Sequence, residues 1–258
     1  MNRSSGKQNP LAAGLANDGF LLLDELFAPQ ALSAVRDALI RQFQSGSEQA
    51  SDRILEIGTR QGSILEINRP TTRDAALAKS SVLEDVIRYS QQIFGHPVFS
   101  DFDHAILKPP QSGAPTAWHQ DEVYHPLSSP NGRAMKRLHW WIPLQDTAAN
   151  NGGMVYVPGS HLQGLRPHRS VASKDGAIRR VLEPTETDVV EASVRLGGAA
   201  IHLPRTIHMA RPNASNEARL AWIIHIRSGS PTLDVVRYGF HKVVDRCFVW
   251  ARKRPAAA

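Results

Sequence analysis

The chain has 258 residues, of which 41% are hydrophobic and 21% charged, with a formal charge of +6; that is ordinary globular composition, long enough to bury one substantial core. No apolar run approaches the roughly 18 to 20 residues that span a bilayer, which excludes a helical membrane anchor. The single cysteine, Cys247, excludes an internal disulfide or a cysteine-rich zinc site, so any metal has to be held by histidine and carboxylate.

Residues Met1 to Pro10 contain Arg3 and Lys7 but lack the apolar core of a secretory leader, so a cytoplasmic location is the expectation. Asn17-Asp18-Gly19 is turn chemistry before a short strand, Phe20 to Leu23. Pro29 then sits near the first turn of a helix on which Leu32, Val35, Leu39 and Phe43 recur at helical spacing. Ser45 to Arg53 is polar and predicted as loop. Ser81-Val82-Leu83-Glu84 reads as a capping box for a second amphipathic helix, with Gly95 placed to end it.

From His96 onward the pattern changes to short apolar runs separated by Pro, Gly and Asn: Ala105 to Leu107, Leu138 to Leu144, Met154 to Val157, Ala199 to Ile201 and Leu220 to Ile226. Several short strands with turn signals between them indicate a sandwich or barrel, so the fold class is α+β with a β-rich core. One domain over 1–258 is expected, with residues 1–12 and 252–258 flexible. The charged stretch 163–194, which has little periodicity, is expected to be a lid or an insertion. The basic residues are dispersed, with clusters only at Lys136-Arg137 and Arg252 to Arg254. No nucleic-acid-binding signature accompanies them, so no nucleic-acid partner is expected.

Trp118-His119-Gln120-Asp121 is the informative stretch. On a strand, His119 and Asp121 would point to one face and offer an imidazole nitrogen and a carboxylate oxygen together. A two-histidine, one-carboxylate metal site needs one further histidine. His208 follows His202 by six residues, and Arg219 lies a further 219 − 208 = 11 along, on the run Arg219 to Ile226. A guanidinium there can fork onto the carboxylate of a bound dicarboxylate. His202 competes as third ligand, but it lies inside an apolar strand without that arginine spacing. His161, at the end of a Pro-Gly-Ser turn, is read as structural. His104, His125 and His139 are candidates for lining a substrate pocket. Trp140 and Trp141 are adjacent on a strand and so face opposite sides, and Cys247 is read as a small core residue.

These blocks, taken in order, resemble the phytanoyl-CoA dioxygenase family of Fe(II)/2-oxoglutarate oxygenases. The likeness includes Asp18-Gly19-Phe20, Leu107-Lys108-Pro109-Pro110 before Trp118-His119-Gln120-Asp121, and Trp141 to Leu144. It continues through Asn150 to His161 and His208 to Ser215, followed by Arg219. The resemblance implies a double-stranded β-helix (jelly-roll) core, iron on His119, Asp121 and His208, and 2-oxoglutarate held by Arg219, with Gln120 and Trp141 near the cosubstrate. One position departs from the pattern: many members carry a hydroxyl residue two places after the distal histidine, where this chain has Ala210.

The implied chemistry uses Fe(II), 2-oxoglutarate and O2 to oxidise a small-molecule substrate, with hydroxylation as the default outcome and succinate and CO2 as coproducts. A zinc hydrolase would call for a general-base glutamate beside the ligands, as in H-E-x-x-H, which the chain lacks. The other alternative is a non-catalytic jelly-roll binding protein. Lys108, Arg133, Lys136 and Arg137 flank the metal-bearing segment and point to an anionic or polar substrate, with Lys108 a candidate substrate contact.

Overall fold

The computed structural model describes residues 10–45, 55–59, 62–124, 137–172, 178–184 and 187–228, with backbone alone at 55–59, 62–63, 172 and 178–179. Helix α1 (Pro10–Asp18) leads into β1 (Phe20–Leu23) and α2 (Pro29–Ser45). A hairpin of β2 (Leu55–Thr59) and β3 (Gly62–Asn68) follows, then the short α3 (Ala75–Ala78), α4 (Ser81–Phe94) and the long β4 (Val98–Lys108). The remaining strands are β5 (Thr116–His119), β6 (Arg137–Pro143), β7 (Met154–Tyr156), β8 (Arg169–Ala172), β9 (Ile178–Val181), β10 (Val190–Ala192), β11 (Ala199–His202), β12 (His208–Ala210) and β13 (Arg219–Ser228).

Seven strands form a sheet in the order β1-β11-β6-β13-β4-β3-β2, and four form a second in the order β10-β7-β12-β5. The pairings are antiparallel. The alternation of β13 explains the layering. Leu220, Trp222, Ile224 and Ile226 join a core with Leu32, Val35 and Leu39 of α2 and Val82, Val86 and Ile93 of α4. Ala221 and Ile223, on the opposite face, pack with Met154, Tyr156, Ala192 and Ala210 of the small sheet. Strands β6 and β13 are therefore covered on both sides, which is why they read as continuous apolar runs instead of alternating ones. Trp140 faces the helices, where its indole N–H donates to Ser90 Oγ at 2.9 Å, and Trp141 faces inward as the pleat requires.

Several local expectations shift. The helix over 81–94 is capped by Ser80, one residue earlier than the capping box suggests, because the extended Ser80 is the residue whose Oγ accepts from Leu83 N. Gly95 ends that helix in the left-handed conformation. Residues 10–12 belong to α1, whereas residues 1–9 and 252–258 lie outside the described residues. Within 163–194, β8 and β9 form a separate two-stranded sheet, but β10 pairs with β7 as part of the core; three residues are too few for a period to show. Among the described residues no helix is long and apolar enough to cross a membrane.

Candidate metal centre

His119 closes β5 and His208 opens β12; the two are Cα partners on antiparallel neighbours, with their rings 4.2 Å apart between centroids. Asp121 arrives differently from the sequence expectation. Strand β5 stops at His119 and Asp121 begins a 3-10 turn, Asp121–Tyr124, so a turn brings the carboxylate round where a pleat was expected. The reversal is fixed by Gln120, which is fully buried. Its amide nitrogen donates to the carbonyls of Gly164 (2.8 Å) and Arg205 (2.6 Å), its Oε1 accepts from Arg166 N (2.8 Å), and its own backbone N–H donates to His168 Nε2 (3.0 Å). Gln120 thus ties the turn to the segment after β7.

The Nδ1 of His119 donates to the Ala117 carbonyl at 2.7 Å, and the Nδ1 of His208 to the Thr206 carbonyl at 2.8 Å. In each case the partner lies two residues back, and the tautomer so fixed turns an Nε2 lone pair toward Asp121. His119 Nε2 lies 3.2 Å from Asp121 Oδ1, and His208 Nε2 lies 3.7 Å from Oδ2. Lone pairs facing lone pairs repel unless a cation lies between them. The three donor atoms fall within 4.8 Å of one another, and two imidazoles with one carboxylate are the donor set that suits non-haem iron while leaving positions open.

Burial alone would push the Asp121 carboxyl up. Its histidine neighbours, His208 and His139 foremost, with the His139 N–H donating to it, instead hold it well below the usual carboxylate range. Burial holds His208 far below an ordinary histidine, and neighbouring His119 adds to that, so His208 stays a neutral imidazole fit to ligate. A second donor set shares the carboxylate: His139 Nδ1 and His202 Nε2 approach Asp121 Oδ2 at 2.5 and 2.9 Å.

On the inner face of the large sheet, Arg219 and Lys108 are cross-strand partners on β13 and β4, exposed by only 1% and 0%. No carboxylate meets either among the described residues. Arg219 stands 5.6 Å over the Trp141 ring, its Nη1 makes a long 3.5 Å bond to the Ile106 carbonyl, and its Nε is buried without a partner. Burial pushes its pKa down to about 9. A buried cation left without an anion is costly, and such a site favours an anionic ligand. The ammonium of Lys108 donates to the carbonyls of Arg211 (2.6 Å), Ala210 (3.2 Å) and Ala114 (3.4 Å). A Cβ on Gly152 would lie 3.1 Å from Arg219 Nε and 3.3 Å from Lys108 Cδ.

His119, Asp121 and His208 are therefore brought together, with Trp141 and Arg219 on the facing inner side of the large sheet and Gln120 turned away into the loops. His161 Nε2 meets the Ala16 carbonyl at 3.2 Å, in keeping with a structural role. His104 Nδ1 binds Glu66 Oε1 at 2.7 Å. His125, Arg133, Lys136 and Cys247 lie outside the described residues. Sequence reasoning missed His225, which stacks on His139 at 3.8 Å, and Tyr156, 3.4 Å from His202 Nδ1. The signal for His225 was its phase, since it shares the Arg219 face of β13 and interrupts an apolar run.

The chain is 31% identical over 173 residues to a probable alpha-ketoglutarate-dependent hypophosphite dioxygenase of Stutzerimonas stutzeri, a match covering 64% of this chain and 57% of that protein. It is 29% identical over 164 residues to an ectoine dioxygenase of Streptomyces anulatus, covering 60% and 53%. The matched region thus spans little more than half the length of these curated relatives. The crystal structure of EvdO2 from Micromonospora carbonacea var. aurantiaca complexed with 2-oxoglutarate shares the fold, with a TM-score of 0.70 at 22% identity over 89% of this chain and 94% of that one. The phytanoyl-CoA dioxygenase (PhyH) family model matches residues 15–221. With that match spanning most of the chain and the His119, Asp121 and His208 donors convergent, the protein belongs to the phytanoyl-CoA dioxygenase family.

Proposed function

We propose that this protein is an Fe(II)- and 2-oxoglutarate-dependent dioxygenase that hydroxylates a small molecule with release of succinate and CO2. The observation that carries this reading is the pairing of two features that line the space between the two sheets. His119, Asp121 and His208 converge at the inner side of the small sheet, and Arg219, a buried guanidinium with no anionic partner among the described residues, stands on the facing strand β13 of the large sheet. When bound, iron supplies the redox chemistry by which dioxygen and the keto acid oxidise the substrate.

The residues have distinct tasks. His119 and His208 offer neutral imidazoles, and Asp121 offers a carboxylate held ionised by its neighbours. Arg219 pairs with the far carboxylate of 2-oxoglutarate, and Trp141 walls that end and excludes water. Gln120 acts as a positioning residue through the turn that carries Asp121. Lys108 belongs to the cosubstrate end, where burial and then the neighbouring Arg219 push its pKa well down and its Nζ ties β4 to the carbonyls of Ala210 and Arg211. The small-molecule reading draws on relatives named for hypophosphite and ectoine.

An anionic or polar substrate is favoured by the opposite end of the large sheet's inner face. Beyond His139 the inner face carries His225, the His104–Glu66 pair, and Arg137, whose Nη1 meets Asp101 at 2.8 Å. These groups would meet the part of a substrate that extends away from the metal. The test is substrate-stimulated succinate formation from 2-oxoglutarate under oxygen, screened over a metabolite panel with His208→Ala as control. Turnover of carboxylates or phosphates, lost in the variant, supports the reading. Turnover without oxygen in the presence of zinc would sink it in favour of a hydrolase, and turnover of neutral apolar compounds alone would remove the substrate class.

A further inference from the structure

We propose that His139 and His202 are positioning residues that occupy both lone pairs of Asp121 Oδ2 and so leave Oδ1 as the single metal-ligating oxygen. The proposal rests on the reading that His119, Asp121 and His208 hold iron, and it deepens that reading. An ionised carboxylate only accepts hydrogen bonds. The ring nitrogens that touch Oδ2, His139 Nδ1 at 2.5 Å and His202 Nε2 at 2.9 Å, must therefore both carry protons. The two rings then hold opposite tautomers, and each has an independent reason for its orientation.

His202 has its other nitrogen, Nδ1, beside the Tyr156 hydroxyl at 3.4 Å. A phenolic hydroxyl there can donate to Nδ1 and leave the imidazole proton on Nε2. Tyr156 is itself stacked on Phe20, 4.6 Å between centroids and 9° from parallel. His139 is fully buried and lies in a ladder row, being the Cα partner of His202 on one side and His225 on the other. Its ring stacks on His225 at 14°.

The four histidines around Asp121 thus fall into two kinds. His119 and His208 spend their Nδ1 protons on backbone carbonyls and turn lone pairs inward; His139 and His202 turn N–H groups onto Oδ2. The consequence is coordination number. A two-oxygen carboxylate would take a fourth position on the metal, whereas one oxygen with two imidazoles leaves three of six for a chelating keto acid and dioxygen.

The donor position gives a test that does not depend on turnover. An Asn amide places an N–H where His Nδ1 stands, and a Gln amide reaches the place of Nε2. The matched variants are His139→Asn and His202→Gln, and the mismatched ones are His139→Gln and His202→Asn. The full chain, cleared of metal and kept anaerobic, is titrated with Mn(II) by electron paramagnetic resonance and with Co(II) by visible absorption.

The expected result is near-native affinity and Co(II) spectrum for the matched pair. The mismatched pair should bind Mn(II) about 10- to 100-fold more weakly, with an altered Co(II) band. Equal behaviour of matched and mismatched variants overturns the proposal. If His202→Gln abolishes binding as fully as His119→Ala does, His202 is itself a ligand and the proposal also fails. Failure of the underlying metal assignment looks different: the unmodified protein would not bind Mn(II), or His119→Ala would bind it unchanged. Comparing amide with amide keeps size and polarity similar, and melting curves of the metal-free variants check that each is folded.

Discussion

Arg219 is the side chain on which the proposed cosubstrate end depends, because the position two residues past His208 is Ala210 and supplies no hydroxyl. Its guanidinium is buried without an anion, so a bound dicarboxylate gains a charge-assisted fork while relieving a desolvated cation. Arg219→Ala should weaken 2-oxoglutarate binding by about 2 to 5 kcal/mol, with Mn(II) affinity in the absence of 2-oxoglutarate little changed. Calorimetric titration of the Mn(II)-loaded protein checks this, and an undiminished 2-oxoglutarate affinity would move the anchor elsewhere. At this scale the sequence was highly legible: His119, Asp121 and His208 converge as the spacing and family blocks implied. His139 and His225 were not legible as part of one row, because their meeting depends on the register of β6 against β13, which no local pattern encodes.

Two connections set the site at the scale of elements. Gly152, between β6 and β7, has φ of +85° and lies against the buried side chains of Arg219 and Lys108. A side chain there meets a left-handed backbone penalty of roughly 1 to 2 kcal/mol and also crowds Arg219 Nε. Gly152→Ala should therefore lower the melting temperature and weaken 2-oxoglutarate binding together; a loss of stability with unchanged binding would show that the loop does not shape the pocket. The other connection is the turn after β5. The His-x-Asp spacing paired His119 with Asp121, whose donor atoms do lie together, but suggested a strand, since i and i+2 share a face on a pleat. The actual reversal is imposed by Gln120 bonding to Gly164, Arg166 and Arg205, all far away in sequence. The hairpin β2–β3 and the short β10 went unseen because, unlike the equally short β1, β7 and β11, they are not continuous apolar runs but are broken by Glu56, Gly58, Ser63, Glu66 and Glu191.

Among the described residues two packed sheets form the core, with β8–β9 as a separate small sheet and helices against the outer face of the larger one, and the α+β, β-rich expectation describes this. Fold class was legible because the apolar runs of β6 and β13 stand apart from the 3.6-residue pattern of α2 and α4; strand order was not, because it is a property of pairing. The helix layer is pinned by the buried Trp140–Ser90 hydrogen bond. Ser90→Ala, which leaves the indole N–H without its acceptor, should cost about 1 to 3 kcal/mol in urea unfolding while metal affinity stays native. Metal affinity falling in step would mean that the outer face communicates with the centre.

The most direct measurement joins the two sides of the space between the sheets. Fe(II) and 2-oxoglutarate are mixed with the protein anaerobically and the visible absorption of an iron-bound keto acid is recorded for the unmodified chain, His119→Ala and His208→Ala. A band in the unmodified protein that disappears in both variants is the predicted result. No band in the unmodified protein, or one of equal intensity in either variant, would contradict the assignment of His119, Asp121 and His208 as the iron site.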